Sequence, residues 1–215
     1  MASIPFEKKN KLADIARRYG QFMGQWGLFF RQFVKHPGMI GSVIPSSPAL
    51  VDGMLADVDW NRTRLFVEYG PGVGTFTRTI LDRMHPDATL LAIDLNPDFV
   101  AYLDAQIADP RLRTVHGSAA DVGRFIAEAG HEKADYILSG IPFSTLPAGV
   151  GDKICVETRN ALQPGGAFLA YQYSGYVGRL LAPIFGVVSE KREWRNIPPC
   201  RLFIAVRHEA IAQAA

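Results

Sequence analysis

Two carboxylates and three glycines set the first chemical question. In "VEYGPGVGTFT", residues 67–77, Glu68 stands ahead of Gly70, Gly72 and Gly74 in the spacing E-x-G-x-G-x-G. Glycines so placed let a backbone approach a ligand in conformations closed to other residues. Asp94 follows 20 residues after Gly74, and "GSAAD" supplies Gly117, Ser118, Ala119 and Asp121. A carboxylate at 68 suits an ammonium or a sulfonium, and one at 94 can accept from both hydroxyls of a ribose. A dinucleotide loop beginning at Gly70 requires a third glycine at 75, where Thr75 stands. The loop is therefore expected to hold something other than a pyrophosphate. Taken singly, these residues also read as turn glycines, strand-end caps and a helix N-cap at Asp121. Their order along the chain favours the binding reading.

That order comes from the elements that carry them. "LFVEYG" (65–70), "TLLAIDLN" (89–96), "LRTVHGSA" (112–119), "ADYILSGIPF" (134–143) and "AFLAYQYS" (167–174) read as strands. The helical segments 75–84, 97–107, 121–129 and 148–162 lie between them. Strands separated by single helices predict an α/β fold, a parallel sheet covered on both faces. "VVSEKREWRN" (187–196) and "RLFIAVRH" (201–208) are also strand-like, and only "IPPC" joins them. So short a link predicts an antiparallel pair at the sheet edge, giving seven strands that are parallel except for the last. Glu68, Asp94, Asp121 and the segment "SGIPFS" (139–144) then all fall at the C-terminal ends of strands, where doubly wound sheets bind ligands.

At 215 residues, with 48% apolar and 20% charged residues, the chain has the make-up of one folded domain with an appendage. The formal net charge of +2 implies no nucleic-acid partner by itself. Its distribution is uneven. Residues 1–36 hold seven basic side chains against Glu7 and Asp14, a net +5, so the rest of the chain sums to −3. Two cysteines make no disulfide framework, and neither they nor the histidines are spaced as a metal site. The expectation is a reduced, cytoplasmic setting without a metal. No apolar run approaches the ~18 residues that span a bilayer.

The glycine loop and the five-strand-plus-hairpin layout resemble class I methyltransferases, with their Rossmann-like sheet. The resemblance implies S-adenosylmethionine as methyl donor, S-adenosylhomocysteine as product, and Glu68, Gly70, Gly72, Gly74, Asp94, Leu95, Gly117, Ser118, Ala119, Asp121, Ser139 and Ser46 around the cofactor. The core also resembles ribosomal-RNA adenine dimethyltransferases. In those, an Asn and the carbonyl before a Pro accept hydrogen bonds from a planar amine, and an aromatic stacks on the base. Here Pro142 and Phe143 are kept, and Gly140 stands at the Asn position. "IGSVIPSSPALVDGM" (40–54), "LSGIPF" (138–143), "YQYS" (171–174) and "NIPPC" (196–200) narrow the resemblance to bacterial phosphatidylethanolamine N-methyltransferases. Those are peripheral membrane enzymes that methylate the lipid's ethanolamine amine, leading towards phosphatidylcholine. For a side chain that orients the amine and takes its proton, the candidates are Tyr173 at the end of the fifth strand and Tyr19 on the arm. Phe143, Ile141 and Tyr171 are expected around the lipid headgroup, with Arg18 and Arg195 as candidate partners for its phosphate by charge and location.

Residues 1–38 are then expected to be an amphipathic helical arm on a methyltransferase domain of residues 39–215. Leu12, Ile15, Tyr19, Phe22, Met23, Trp26, Phe29, Phe30 and Phe33 recur at three- and four-residue steps, with Arg17, Arg31 and Lys35 opposite. Such a helix suits the anionic inner face of a cytoplasmic membrane. The alternative is that it packs on its own domain, and the membrane role is the favoured expectation. Two other functions fit parts of the pattern: an adenine methyltransferase using the basic arm on nucleic acid, and a membrane-binding scaffold that keeps cofactor affinity without transfer.

Overall fold

The computed structural model describes residues 46–209. The expected arm, with Arg18, Tyr19, Phe22, Trp26, Phe29, Phe30, Arg31, Phe33 and Lys35, lies outside the described residues.

Helix α1 (Pro48–Leu55) leads into β1 (Leu65–Tyr69), α2 (Thr75–Arg83), β2 (Thr89–Asp94), α3 (Pro97–Gln106) and β3 (Leu112–His116). Then come α4 (Val122–Glu128), β4 (Ala134–Ser139), α5 (Val150–Ala161) and β5 (Leu162–Gln172), followed by α6 (Tyr176–Phe185), β6 (Val188–Glu193) and β7 (Cys200–Val206). The seven strands form one sheet in the order β3-β2-β1-β4-β5-β7-β6. Strands β1 to β5 pair in parallel, and β7 runs antiparallel to both β5 and β6. The expected architecture is thus observed, with one refinement. The last strand inserts between β5 and β6, so β6 is the edge. The edge is charged, with Glu190, Lys191 and Arg192 exposed, which discourages pairing with another chain.

All five residues of β1 are buried, as expected of a strand covered on both faces. Alternation sorts them. Leu65, Val67 and Tyr69 join the core under α4, α5 and α6, while Phe66 joins the core under α1 and α2. Glu68 shares its face with Phe66, so a carboxylate enters the second apolar layer at its upper end.

Three boundaries depart from the sequence expectation. Helix α6 fills the stretch between the fifth strand and residue 187, to which the sequence pattern assigns no element. Val177, Leu181 and Phe185 bury on one face at four-residue steps, and this burial outweighs the breakers Gly178 and Pro183. Strand β5 begins at Leu162 because "QPGG" is absorbed as an irregularity in its pairing with β4, between Ala134 and Tyr136. Strand β6 ends at Glu193, which leaves Trp194 to Pro199 as a loop. Among the described residues, no helix is long and apolar enough to cross a membrane.

Candidate active site

The loop after β1 is left-handed at Gly70, Gly72 and Gly74, with φ of 65°, 56° and 81°. Positive φ is strained for any side-chain-bearing residue, so alternate glycines are a backbone requirement here. The amide of Gly70 donates to the Ile93 carbonyl at 2.9 Å, and that of Gly74 to Pro71 at 2.9 Å, closing the turn onto α2. The Gly72 amide donates to the Asp94 carboxylate, which ties the loop to the end of β2.

Glu68 and Asp94 are both held as reluctant anions. Glu68 is 3% exposed and accepts from the Thr77 hydroxyl at 2.7 Å. Burial pushes its carboxyl up to about 7, the Thr77 bond opposes this, and the negative charge of Asp94 adds to it. Asp94 accepts from the Asn96 amide at 2.8 Å. Burial raises it to about 6, against the Asn96 and Gly72 amides and the nearby His116. Two buried carboxylates repel each other unless a cation lies with them. A ligand carrying an ammonium, a sulfonium and ribose hydroxyls fits that arrangement.

At the third strand end the expected residues divide by role. A Cβ on Gly117 would come within 2.4 Å of the Phe125 ring, so that glycine makes room for the core. Ser118 accepts from the Ala120 amide at 3.2 Å and Ala119 is buried; both serve the local turn. Asp121 is exposed and makes no side-chain cap bond to α4. Leu95 is 65% exposed beside Asp94. These two present chemistry outward, an acid and an apolar wall, at neighbouring strand ends paired through Asp94 and His116. His116 itself bonds the Leu95 carbonyl at 3.1 Å.

Beyond β4 lies a cleft of about 200 Å³, lined by Gly140, Pro142, Ser144, Thr145, Tyr171, Gln172, Tyr173 and Ser174. None of these side chains carries a formal charge. Ser139, fully buried, shapes the turn by accepting from the Ile141 amide at 3.2 Å. Gly140 has a steric reason. A Cβ there would lie 2.4 Å from the Tyr171 hydroxyl, 3.0 Å from that ring and 3.2 Å from the Gly70 carbonyl. The phenol of Tyr171 fills the space an Asn side chain would take. Its ring stacks on Phe76 at 4.8 Å, and its hydroxyl bonds Ser46; burial and the nearby Glu68 push the phenol well above its ordinary range. Ser46 thus meets the site through Tyr171.

Gln172 reports a contact that sequence reasoning missed. Its Nε2 donates to the Ile141 carbonyl at 2.7 Å and to the Tyr171 carbonyl at 2.7 Å. The carbonyl before Pro142 therefore already has a donor. Phe143 is in the core, 1% exposed, with its ring edge-on to Phe168 at 6.4 Å. The expected aromatic wall of the cleft falls instead to Tyr171 and Tyr173. Tyr173 is 44% exposed and bonds the Asn196 side chain; partial burial raises its phenol. Arg195, expected near the headgroup, is gripped by Glu193 through Nε at 2.9 Å and Nη2 at 3.0 Å. Its charge is neutralised on the protein. Among the described residues, no group of His, Cys, Asp or Glu could hold a metal ion.

Comparison with known proteins agrees with this geometry. Residues 66–166 match the family model described as a methyltransferase domain. Over 179 residues the chain is 31% identical to an ornithine lipid N-methyltransferase from Singulisphaera acidiphila, covering 82% of this chain and 93% of that one. A ribosomal RNA small subunit methyltransferase H from Methylorubrum populi is 33% identical over 101 residues, 46% of this chain and 28% of that one. The structure of human N-acetylserotonin methyltransferase in complex with S-adenosylmethionine superposes with a TM-score of 0.57 at 13% identity, over 74% of this chain and 52% of that one. The chain is a class I S-adenosylmethionine-dependent methyltransferase, of the family to which the lipid N-methyltransferase belongs.

Proposed function

We propose that the protein methylates the primary alkyl amine of a membrane-lipid headgroup, with phosphatidylethanolamine as the substrate. One observation carries the choice of an alkyl amine over a nucleobase. The Tyr171 hydroxyl occupies the side-chain space beside Gly140, and Gln172 already donates to the Ile141 carbonyl. A planar exocyclic amine would find neither of the acceptors it needs free in full, and an unpaired polar group in a closed site is costly. A flexible alkyl amine asks only for one acceptor and an uncharged wall.

S-adenosylmethionine supplies an electrophilic methyl group on sulfur. The chain's own residues must deliver a neutral amine to it. An alkyl ammonium titrates near ~10, so at pH 7 about one molecule in a thousand is nucleophilic, a handicap of roughly 4 kcal/mol. The charge-free cleft offsets this by desolvating the ammonium, which lowers an amine pKa by ~3–5 units when burial is complete. Tyr173, its phenol raised by burial, stays protonated near neutrality. In this reading it orients the amine through its oxygen and takes no proton in advance. The faces of Tyr171 and Tyr173 favour the cation that forms once methyls accumulate.

The test is transfer from labelled S-adenosylmethionine to phosphatidylethanolamine in mixed liposomes, with the lipid products separated. Mono-, di- or trimethylated product supports the reading, and absence of labelled lipid with cofactor binding intact refutes it. A second reading, methylation of an ornithine lipid, is favoured by the 31% identical relative. Both lipids present a primary alkyl amine, so the same assay with ornithine lipid in the vesicles distinguishes them.

A further inference from the structure

We propose that the β6–β7 loop, Trp194 to Pro199, is a wedge that enters the lipid bilayer interface and brings the acceptor cleft to headgroup depth. The proposal rests on the lipid reading above and adds a second contact to the one expected of the arm. The loop turns its large apolar residues towards water. Glu193 at its base and Asn196 within it are 9% and 1% exposed, and Arg195, the exposed charged residue of the loop, is held by Glu193. The apolar residues face out: Trp194 is 66% and Ile197 83% exposed, and Pro198 and Pro199 are exposed beside them. Scattered apolar residues on a surface are ordinary. Four in six consecutive positions, over a buried polar floor, are not.

The floor also fixes the loop's position. Asn196 accepts from the Ser47 amide at 3.0 Å and donates to the Pro198 carbonyl at 2.9 Å, and its side chain bonds Tyr173 of the cleft. The Cys200 thiol donates to the Gln172 carbonyl at 3.3 Å. The exposed tip is thus joined to the wall of the acceptor cleft through single side chains. Charge around the tip favours an anionic lipid surface. The acids of β6 are committed, Glu190 to Arg201 at 3.0 Å and Glu193 to Arg195. Arg192 has no carboxylate partner among the described residues and lies over the Trp194 ring at 5.6 Å. An indole backed by a cation suits the boundary between headgroups and acyl chains.

The experiment places an environment-sensitive nitrobenzoxadiazole label on Ile197→Cys in the full chain, and on Glu132→Cys at the opposite end of the strands as a control. Cys155 and Cys200 are buried, with thiols pushed up to about 12 and about 11, so the introduced thiol is the one that reacts. Vesicles of phosphatidylethanolamine and phosphatidylglycerol should shift the label at 197 to the blue and leave that at 132 unchanged. In parallel, the Trp194→Asp, Ile197→Asp double variant should bind those vesicles at least about tenfold more weakly while keeping its cofactor affinity, because most of the loop's apolar area is removed. Its transfer to bilayer lipid should fall in step, and transfer to monomeric dihexanoyl phosphatidylethanolamine should not. A label at 197 that stays unshifted on bound vesicles overturns the wedge. So does one already blue without vesicles, which would mean the tip is covered by residues 1–45 or a second copy. A double variant as active on vesicles as the parent sinks the wedge and leaves the lipid reading intact. A blue shift at 197 with no lipid methylated by the parent does the reverse.

Discussion

Replacing Glu68 by Gln should make the protein without cofactor more stable at alkaline pH, and the size follows from the buried carboxylate. Its carboxyl titrates at about 7 when folded against 4.5 for the free group. A carboxyl with a raised folded pKa binds its proton more tightly in the folded state. Its contribution is therefore most favourable below 4.5 and becomes a penalty as pH rises through 7. Between pH 5 and pH 8 that penalty grows by about 2–3 kcal/mol in the linkage relation. Glu68→Gln removes it, and the amide keeps an oxygen for the Thr77 hydroxyl. For a chain of this size the parent should lose roughly 4–12 °C more of melting temperature than the variant over that interval. Relief of Asp94, whose carboxyl carries charge close to that of Glu68, acts in the same direction. The assay is thermal or urea unfolding of both proteins, without cofactor, at several pH values. Curves that run parallel from pH 5 to pH 8 would refute the burial argument. The variant should gain stability and lose its ligand. S-adenosylmethionine affinity of the parent should fall about tenfold from pH 8 to pH 6, since Glu68 must shed its proton to meet a cation. The Glu68→Gln variant should bind weakly and with a flatter profile.

Three further predictions concern single contacts. Gly140→Ala should cost about 1–3 kcal/mol through its clash with the Tyr171 hydroxyl, and adding Tyr171→Phe should restore part of that in unfolding experiments. Asp121→Asn should weaken S-adenosylmethionine binding in calorimetry with the unliganded melting temperature unchanged, because the carboxylate caps nothing on α4. Tyr173→Phe should slow methyl transfer at unaltered cofactor affinity; equal turnover would remove the phenol oxygen from the chemistry and leave the ring.

The glycine loop and the acids at the strand ends were legible because their signals are local. The loop glycines, Asp94 and Asp121 each sit within a few residues of a strand end that alternation and punctuation already mark. The cleft after β4 was not, because its lining is set across the sheet. Gly140 looks like a lost Asn until Tyr171, from the neighbouring strand β5, is seen filling its space. Phe143 follows Pro142 where a base-stacking ring would be expected, yet the turn after β4 carries it down into the core. Gln172 is an isolated polar residue in an apolar strand, a signal that was present and unread. Helix α6 escaped notice through Gly178, whose missing side chain lets the helix close on Phe203, where a Cβ would lie 2.9 Å from the ring.

The insertion of β7 between β5 and β6 also orders events during synthesis. Strands β1, β2 and β3, with the glycine loop and Asp94, are complete once residue 116 has been made. The edge of β5 that carries Tyr171 and Gln172 has no partner until residues 200–206 arrive. A nascent chain can therefore assemble the glycine loop and its strand ends first. For as long as it takes to make the last strand, it presents an unpaired apolar edge beside the unfinished cleft. Chaperone capture should concentrate in that interval, and chains truncated before Cys200 should aggregate through β5.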